Sequence, residues 1–196
     1  MRRRWLPLAL LVALSGCGYN RIQELDERAA KAKQDIKVQL QRRSDLIGNL
    51  VETAKGYAAH ESEVFTNVAN ARARLAGAAA ATDPNAAELA AANEQLTGAL
   101  SRLLVISERY PELKADQQFL ALQAELVGTE NRVAVARTDY NQAAQEYNTY
   151  IRRFPAAVTA KVTGAKAREY FDVTDPAALQ APKVDFSKEP AKAPPP

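Results

Sequence analysis

Apolar residues along most of this chain recur at steps of three and four, the spacing that puts one stripe on one face of an α-helix. The stripe opens at Ile22, Leu25, Ala29, Ala32 and Ile36, directly after Asn20. It resumes at Leu46, Leu50, Ala54 and Tyr57, but between these two runs the same seam passes through Gln39 and Arg43. A long amphipathic helix with polar groups in its buried seam needs partner helices that satisfy them. Gly48 and Gly56 each weaken such a helix by up to about 1 kcal/mol relative to alanine, so a bend is expected near one of them.

Val64, Val68, Ala71, Leu75 and Ala78 carry the next stripe, which stops at Asp83-Pro84 because the residue before proline is pushed out of the helical region. Leu89, Leu96, Leu100, Leu103 and Ile106 carry another, closed by Pro111. The longest seam follows: Phe119, Leu122, Leu126, Thr129, Val133, Ala136, Tyr140, Ala143, Tyr147, Tyr150 and Phe154. At about 1.5 Å per residue, Asn20 to Tyr57 and Leu113 to Phe154 make rods of roughly 55 and 60 Å, whereas Glu61 to Ala80 and Ala86 to Ser107 are each about 30 Å. Two long rods of matching length are expected to lie antiparallel, with the short pair as a hairpin covering part of them. The expected fold class is therefore all-α, an antiparallel four-helix bundle of two long and two short helices over residues 20–155, with coiled-coil-like seams. A rival, one straight helix from Asn20 to Ala80 in a three-helix product, leaves the first half of that helix paired only with the last one.

After Pro155 the periodicity fails. Tyr170, Phe171, Leu179, Val184 and Phe186 make residues 156–188 too apolar for a linker, so an extended segment draped over the bundle is expected there. Residues 189–196 read EPAKAPPP, cannot bury apolar surface, and are expected to be a disordered tail.

The N-terminus changes the picture from fold to location. Arg2, Arg3 and Arg4 precede an apolar run from Trp5 to Leu14 that is too short for a bilayer core, which takes roughly 20 helical residues. The run fits a secretory signal peptide, and Leu14-Ser15-Gly16-Cys17 looks like a bacterial lipobox. Residues 1–16 are then a lipoprotein signal peptide and 17–19 a lipidated N-terminus, with Cys17 carrying the acyl chains; the plainer alternative is a signal peptide with an incidental cysteine. Each buried methylene contributes about 0.8 kcal/mol, so several chains on one cysteine hold the protein stably on the membrane without spanning it. The expected location is the bacterial cell envelope, facing the periplasm, and the outer membrane where the organism has two, since Gly18 rather than an aspartate follows the cysteine. The only cysteine being acylated leaves no thiol for a disulfide, so packing alone must hold the domain.

Charge excludes one class of partner. The chain has 26 basic and 23 acidic side chains. Removing Arg2, Arg3 and Arg4 with the signal leaves 23 against 23, without the basic excess of a nucleic-acid binder.

Several stretches, in order, resemble the LemA family of bacterial membrane-associated helical proteins. They are Tyr19-Asn20, the run Gln41-Arg42-Arg43-Ser44-Asp45-Leu46-Ile47-Gly48-Asn49-Leu50-Val51-Glu52-Thr53 on to Tyr57 and Glu61, the run Ser107-Glu108-Arg109-Tyr110-Pro111-Glu112-Leu113-Lys114, and Tyr140-Asn141 through Tyr147-Asn148 to Phe154-Pro155. The resemblance covers roughly Tyr19 to Phe186. It implies an antiparallel helical bundle on a membrane anchor and no established catalytic activity. Gly48 stands where relatives commonly have proline, and a lipid is expected where many have a transmembrane helix.

The search for chemistry is short. His60 is the only histidine and no cysteine is free to join it, so no conventional metal site is expected, nor a catalytic triad. No glycine-rich phosphate loop occurs and no cofactor is expected. Glu52, Glu61, Glu63, Glu108 and Glu125 are scattered at surface-like positions, which disfavours an acid–base pair. The one candidate cluster is Arg42, Arg43, Asp45, Asn49 and Glu52, near which Tyr140, Asn141, Tyr147 or Asn148 of the antiparallel partner are candidates to lie. It reads as a hydrogen-bonded polar layer fixing helix register, as a partner-docking patch, or as a ligand site. Tyr140, Tyr147 and Tyr150 are expected to pack at the core edge with their hydroxyls in water.

The function expected is that of a lipid-anchored, non-enzymatic scaffold or adaptor, held to the membrane through Cys17, for protein partners whose identity, like the oligomeric state, the sequence does not specify. The alternative is a carrier or sensor that takes an apolar ligand such as a lipid within the bundle.

Overall fold

A computed structural model describes residues 6–81 and 84–171, with side chains from residue 18 onward. The signal-peptide and lipidation readings at residues 1–17, and the apolar positions Leu179, Val184 and Phe186 with the proline-rich tail, fall outside the described side chains. Six α-helices occur among the described residues and no strands: α1 Leu6–Lys55, α2 Ser62–Ala80, α3 Ala86–Ser107, α4 Pro111–Ala115, α5 Gln117–Tyr150 and α6 Ala156–Thr163. The fold is all-α, as the periodicity predicts. No described helix is long and apolar enough to cross a membrane.

Helices α1 and α5 form the axis of the molecule. Arg28 pairs with Glu146, Arg42 with Glu125, and the Tyr57 hydroxyl donates to Asp116 at 2.9 Å, so the partner numbers fall as those of α1 rise and the two helices run antiparallel. Ile36, Leu40, Ile47, Leu50 and Ala54 of α1 meet Phe119, Leu126, Val133 and Tyr140 of α5 in one core. The α2–α3 hairpin covers one half of this pair with Phe65, Val68, Leu75, Leu89, Leu96 and Leu103.

The other half of α1 is covered by the C-terminal elements. Residues from 156, expected to be extended, begin with helix α6, whose Ala160 clusters with Ile22, Leu25, Tyr147 and Ile151. Gly164 closes α6 at φ 72, a left-handed conformation glycine adopts without steric cost, and turns the chain back along α5. Phe171 then reaches the main core, 2% exposed.

Three boundaries differ from expectation for local reasons. Helix α1 runs through Gly48 without a break and ends before Gly56. The last long helix starts at Gln117, because Asp116 caps it by accepting from the Phe119 N–H at 2.8 Å and so separates it from the short α4. Its seam stops at Tyr150; Phe154 lies in the following turn and is 85% exposed, not on the buried stripe. Asn85 caps α3 by accepting from the N–H groups of Ala87 and Glu88.

Candidate functional site

The polar residues of α1 fall into two groups with different surroundings. Arg43 is 3% exposed. Its Nη1 donates to Asn93 Oδ1 at 2.7 Å and its Nη2 to Thr97 Oγ1 at 3.1 Å, both on α3, while Glu130 of α5 completes an ion pair. Burial pulls the guanidinium below the ordinary arginine value, and the charge and hydrogen bond of Glu130 oppose that pull. An arginine stays protonated in proteins, so Arg43 is a fixed internal cation that ties three helices together. Its Nε and the Oε1 of Gln39, one turn earlier, are buried without hydrogen-bond partners.

Arg42, Asp45, Asn49 and Glu52 lie outside this layer, on the solvent side of α1. Arg42 pairs with Glu125 at 2.8 Å, Asp45 accepts from Gln41 at 2.9 Å, and Glu52 accepts from Lys55 at 2.8 Å. Asn49 is exposed, and its carbonyl accepts from the Thr53 hydroxyl. The five candidates therefore do not converge. Exposed pairs of this kind contribute at most about 1 kcal/mol each, so these four are surface chemistry rather than structural necessity.

Tyr140, Asn141, Tyr147 and Asn148 are not near Arg43. The antiparallel register sets Arg43 against Glu130, and these four residues hold the returning C-terminal segment instead. Asn148 donates to the Arg168 carbonyl and accepts from the Arg168 N–H, both at 2.8 Å. Asn141 does the same with Phe171, at 2.9 and 2.7 Å, and the Tyr140 hydroxyl donates to the Glu169 carbonyl at 2.7 Å. Seven helical residues advance about 10.5 Å and three extended ones about 10 Å, so a seven-residue step on α5 matches the step from Arg168 to Phe171. The Tyr140 hydroxyl thus meets a backbone carbonyl, not water. Sequence reasoning missed this clamp; the signal that could have found it is the Tyr-Asn pair repeated at a spacing of seven.

Side chains close the segment from both ends. Arg168 donates through Nε to Asp26 at 2.8 Å and lies over the Tyr147 ring, and Arg137 lies over the Phe171 ring at 4.8 Å. Burial first, and then the charge of Asp26, raise the Tyr147 phenol above its ordinary value. A cleft of about 550 Å³ opens beside the segment, with Gln23, Asp26, Lys33, Asn85, Arg168 and Glu169 in its wall. Ile22, Ala86, Tyr140 and Tyr147 also line it, so the wall is mixed, with polar surface the larger share.

The loops at the other end carry the remaining distinctive residues. Glu61, in the α1–α2 turn, accepts from Arg109 at 2.8 Å and from the Tyr110 hydroxyl at 3.3 Å, and Leu113 is fully buried beneath. His60 is exposed in the same turn. Among the described residues no three His, Cys, Asp or Glu side chains stand where they can share a metal ion.

Two relatives carry the name magnetosome protein MamQ. MamQ 2 of Paramagnetospirillum magneticum is 29% identical over 187 residues, covering 85% of this chain and 69% of that one. MamQ of Magnetospirillum gryphiswaldense is 28% identical over 174 residues, covering 78% of this chain and 64% of that one, so its own length runs well beyond the match. The LemA family model matches residues 32–186, a stretch that holds the Arg43 layer, the α2–α3 hairpin and the Tyr-Asn clamp, and the chain belongs to the LemA family.

Proposed function

We propose that this protein is a lipid-anchored envelope scaffold or adaptor, attached through Cys17 and non-enzymatic, whose helical surface receives membrane-associated partners. The observation that carries the reading is the continuity of α1. The helix that holds Cys17 runs on unbroken to Lys55, roughly 57 Å at 1.5 Å per residue, and joins the acylated residue to the bundle without a linker. Such a rod transmits the position of the anchor to the whole bundle. The polar groups that stand out within the bundle are consumed in holding it: Arg43 joins α1, α3 and α5, and Asn141 and Asn148 hold the C-terminal segment. What faces outward is the row Arg42, Asp45, Asn49 and Glu52, a solvent-exposed surface with both signs of charge, suited to docking another protein. The 550 Å³ cleft has charged residues, Asp26, Lys33, Arg168 and Glu169, in its mixed wall, which favours this reading over a carrier of apolar ligands.

The test has two arms. Cys17→Ser is expected to release the protein from membranes or leave it unprocessed; processed protein that stays membrane-bound argues for another attachment. Crosslinking in membranes followed by partner identification is expected to recover a protein whose capture falls in Asp45→Ala and Glu52→Ala. Equal capture by these folded variants removes the outer row of α1 from the docking surface.

A further inference from the structure

Exposed apolar side chains gather at one corner of the molecule. Val158 and Val162, 58% and 82% exposed, stand four residues apart on the outer face of α6, and Phe154, 85% exposed, lies in the turn just before it. The inner face is filled by Ala156 and Ala160, which are buried against α1 and α5. Helix α6 thus carries apolar residues on both sides, one side covered by the bundle and the other in solvent.

The charge carried by this stretch of the chain is one-sided. Between Glu146 and Glu169 the chain has no acidic residue and carries Arg152, Arg153, Lys161, Lys166 and Arg168. Arg168 is committed to Asp26, and the other four are exposed. This stretch concentrates positive charge in a chain whose residues after Arg4 balance to zero only as a whole.

The face also sits beside the point where the chain leaves for its N-terminus. Gly18 lies against Ala156 and Thr159, and Ile22 clusters with Ala160. Four residues on α1 match four on α6, so α6 lies alongside α1 from Gly18 to Ile22 and runs parallel to it. Ala156 is level with Gly18, and Val162 lies six helical residues, roughly 9 Å, farther along.

We propose that the outer face of α6 docks on an anionic bilayer surface: Phe154, Val158 and Val162 enter the interface, and Arg152, Arg153, Lys161 and Lys166 meet acidic headgroups. Apolar side chains flanked by basic ones are the composition of an interfacial helix. Because α6 is parallel to α1, burying its whole length lays this end of the bundle on its side. An upright rod buries Phe154 at most and leaves Val162 in water. The inference rests on the anchored reading only in that the N-terminus brings α6 to the membrane; the tilt is a property of α6.

Tryptophan quenching by lipids brominated on their acyl chains tests it in the full chain, with Trp5→Phe removing the native reporter. Val162→Trp is the decisive reporter, and Val105→Trp on the exposed side of α3 is the distant one. On vesicles of phosphatidylglycerol and phosphatidylcholine, emission from position 162 is expected to fall at least twofold while position 105 is unchanged. Reversing Arg152, Arg153, Lys161 and Lys166 to glutamate, or omitting phosphatidylglycerol, is expected to abolish the quenching at 162. A vesicle-bound chain whose 162 and 105 reporters respond alike overturns the proposal, whether because the rod stands upright or because another protein covers α6. Cys17→Ser separates the two readings: chain that still floats with vesicles and is still quenched at 162 counts against the lipid anchor alone, and chain that floats unquenched counts against both. Chain that no longer floats upholds the lipid anchor, and it counts against the α6 face when the Cys17 parent is also unquenched at 162.

Discussion

Asn141 and Phe171 exchange hydrogen bonds in both directions, the side-chain amide donating to the Phe171 carbonyl at 2.9 Å and accepting from its N–H at 2.7 Å. A primary amide has the same donor–acceptor pair as a backbone peptide unit, so α5 presents two asparagines where a neighbouring strand presents main chain. The segment is recognised through its backbone, and only Arg168 and Phe171 add side-chain identity.

Asn148→Ala and Asn141→Ala each remove two such bonds, at about 0.5–1.5 kcal/mol per bond. The segment can undock without unfolding α1 and α5, so the expected effect is local. Amide exchange at Arg168 and Phe171 should accelerate by roughly one order of magnitude in either variant, with exchange in α5 unchanged. Equal acceleration throughout the bundle would mean that the segment and the helices open together.

Arg43 gives the clearest contrast between truncation and replacement. Arg43→Ala leaves Asn93 and Thr97 facing a vacated site, while the half-exposed Glu130 regains water, and is expected to cost about 1–3 kcal/mol. Arg43→Met fills the volume without the charge and should cost clearly less, because replacing a buried charge by a packed apolar group is often close to neutral. Urea denaturation with an unchanged m-value measures both. Methionine as damaging as alanine would show that the charge itself holds the three helices.

Much of this was legible in the sequence, and the exceptions have physical causes. Gln39 and Arg43 stand out because they occupy seam positions, which a helix period reveals residue by residue. Their partners Asn93, Thr97 and Glu130 do not, since those depend on how helices far apart in the chain align. The three-four pattern carried Phe154 as a core position because periodicity has no memory of where a helix stops; Ile151 ends α5, and the next residues leave its axis. The fourfold grouping Arg42, Asp45, Asn49 and Glu52 was readable as one side of a helix, but sharing that side with Arg43 was not, since a single residue step of 100° separates solvent from core.

Asp116 links the end of α1 to the start of α5. Its carboxylate accepts from the Phe119 N–H and from the Tyr57 hydroxyl, which holds the carboxyl below the ordinary aspartate value and raises the Tyr57 phenol above its own. A depressed carboxyl stabilises the fold at pH above the unfolded value near about 4, and that contribution is lost as pH falls through the lower folded value. A raised phenol stabilises below about pH 10, and its contribution is lost as pH rises through the higher folded value. Urea midpoints should therefore drop at both extremes. Tyr57→Phe is expected to flatten the alkaline drop and shrink the acid one, and Asp116→Asn, which keeps a capping oxygen, to flatten the acid drop. A Tyr57→Phe profile superimposable on the parent would exclude this contact as a source of the pH dependence.

Glycines inside helices allow a comparison in which only the surroundings differ. Gly77 in α2 and Gly98 in α3 have no atom within 4 Å of where a Cβ would sit. Alanine at either position gains the helix propensity that glycine forgoes, about 0.8–1.0 kcal/mol, with nothing to displace. At Gly48 the same Cβ falls 2.7 Å from Arg72 Nη1, so the guanidinium of α2 must move off α1 and lose its weak 3.4 Å contact with Ser44. The far end of an arginine is flexible and Arg72 is only half-buried, so Gly48→Ala should still stabilise, but by less than Gly98→Ala. Thermal midpoints of the three single variants measure the order, which runs Gly77→Ala and Gly98→Ala above Gly48→Ala. Gly48→Ala matching the other two would mean that the Arg72 contact contributes nothing; a midpoint below the parent would mean that the close approach of Arg72 to α1 is part of how the hairpin is held.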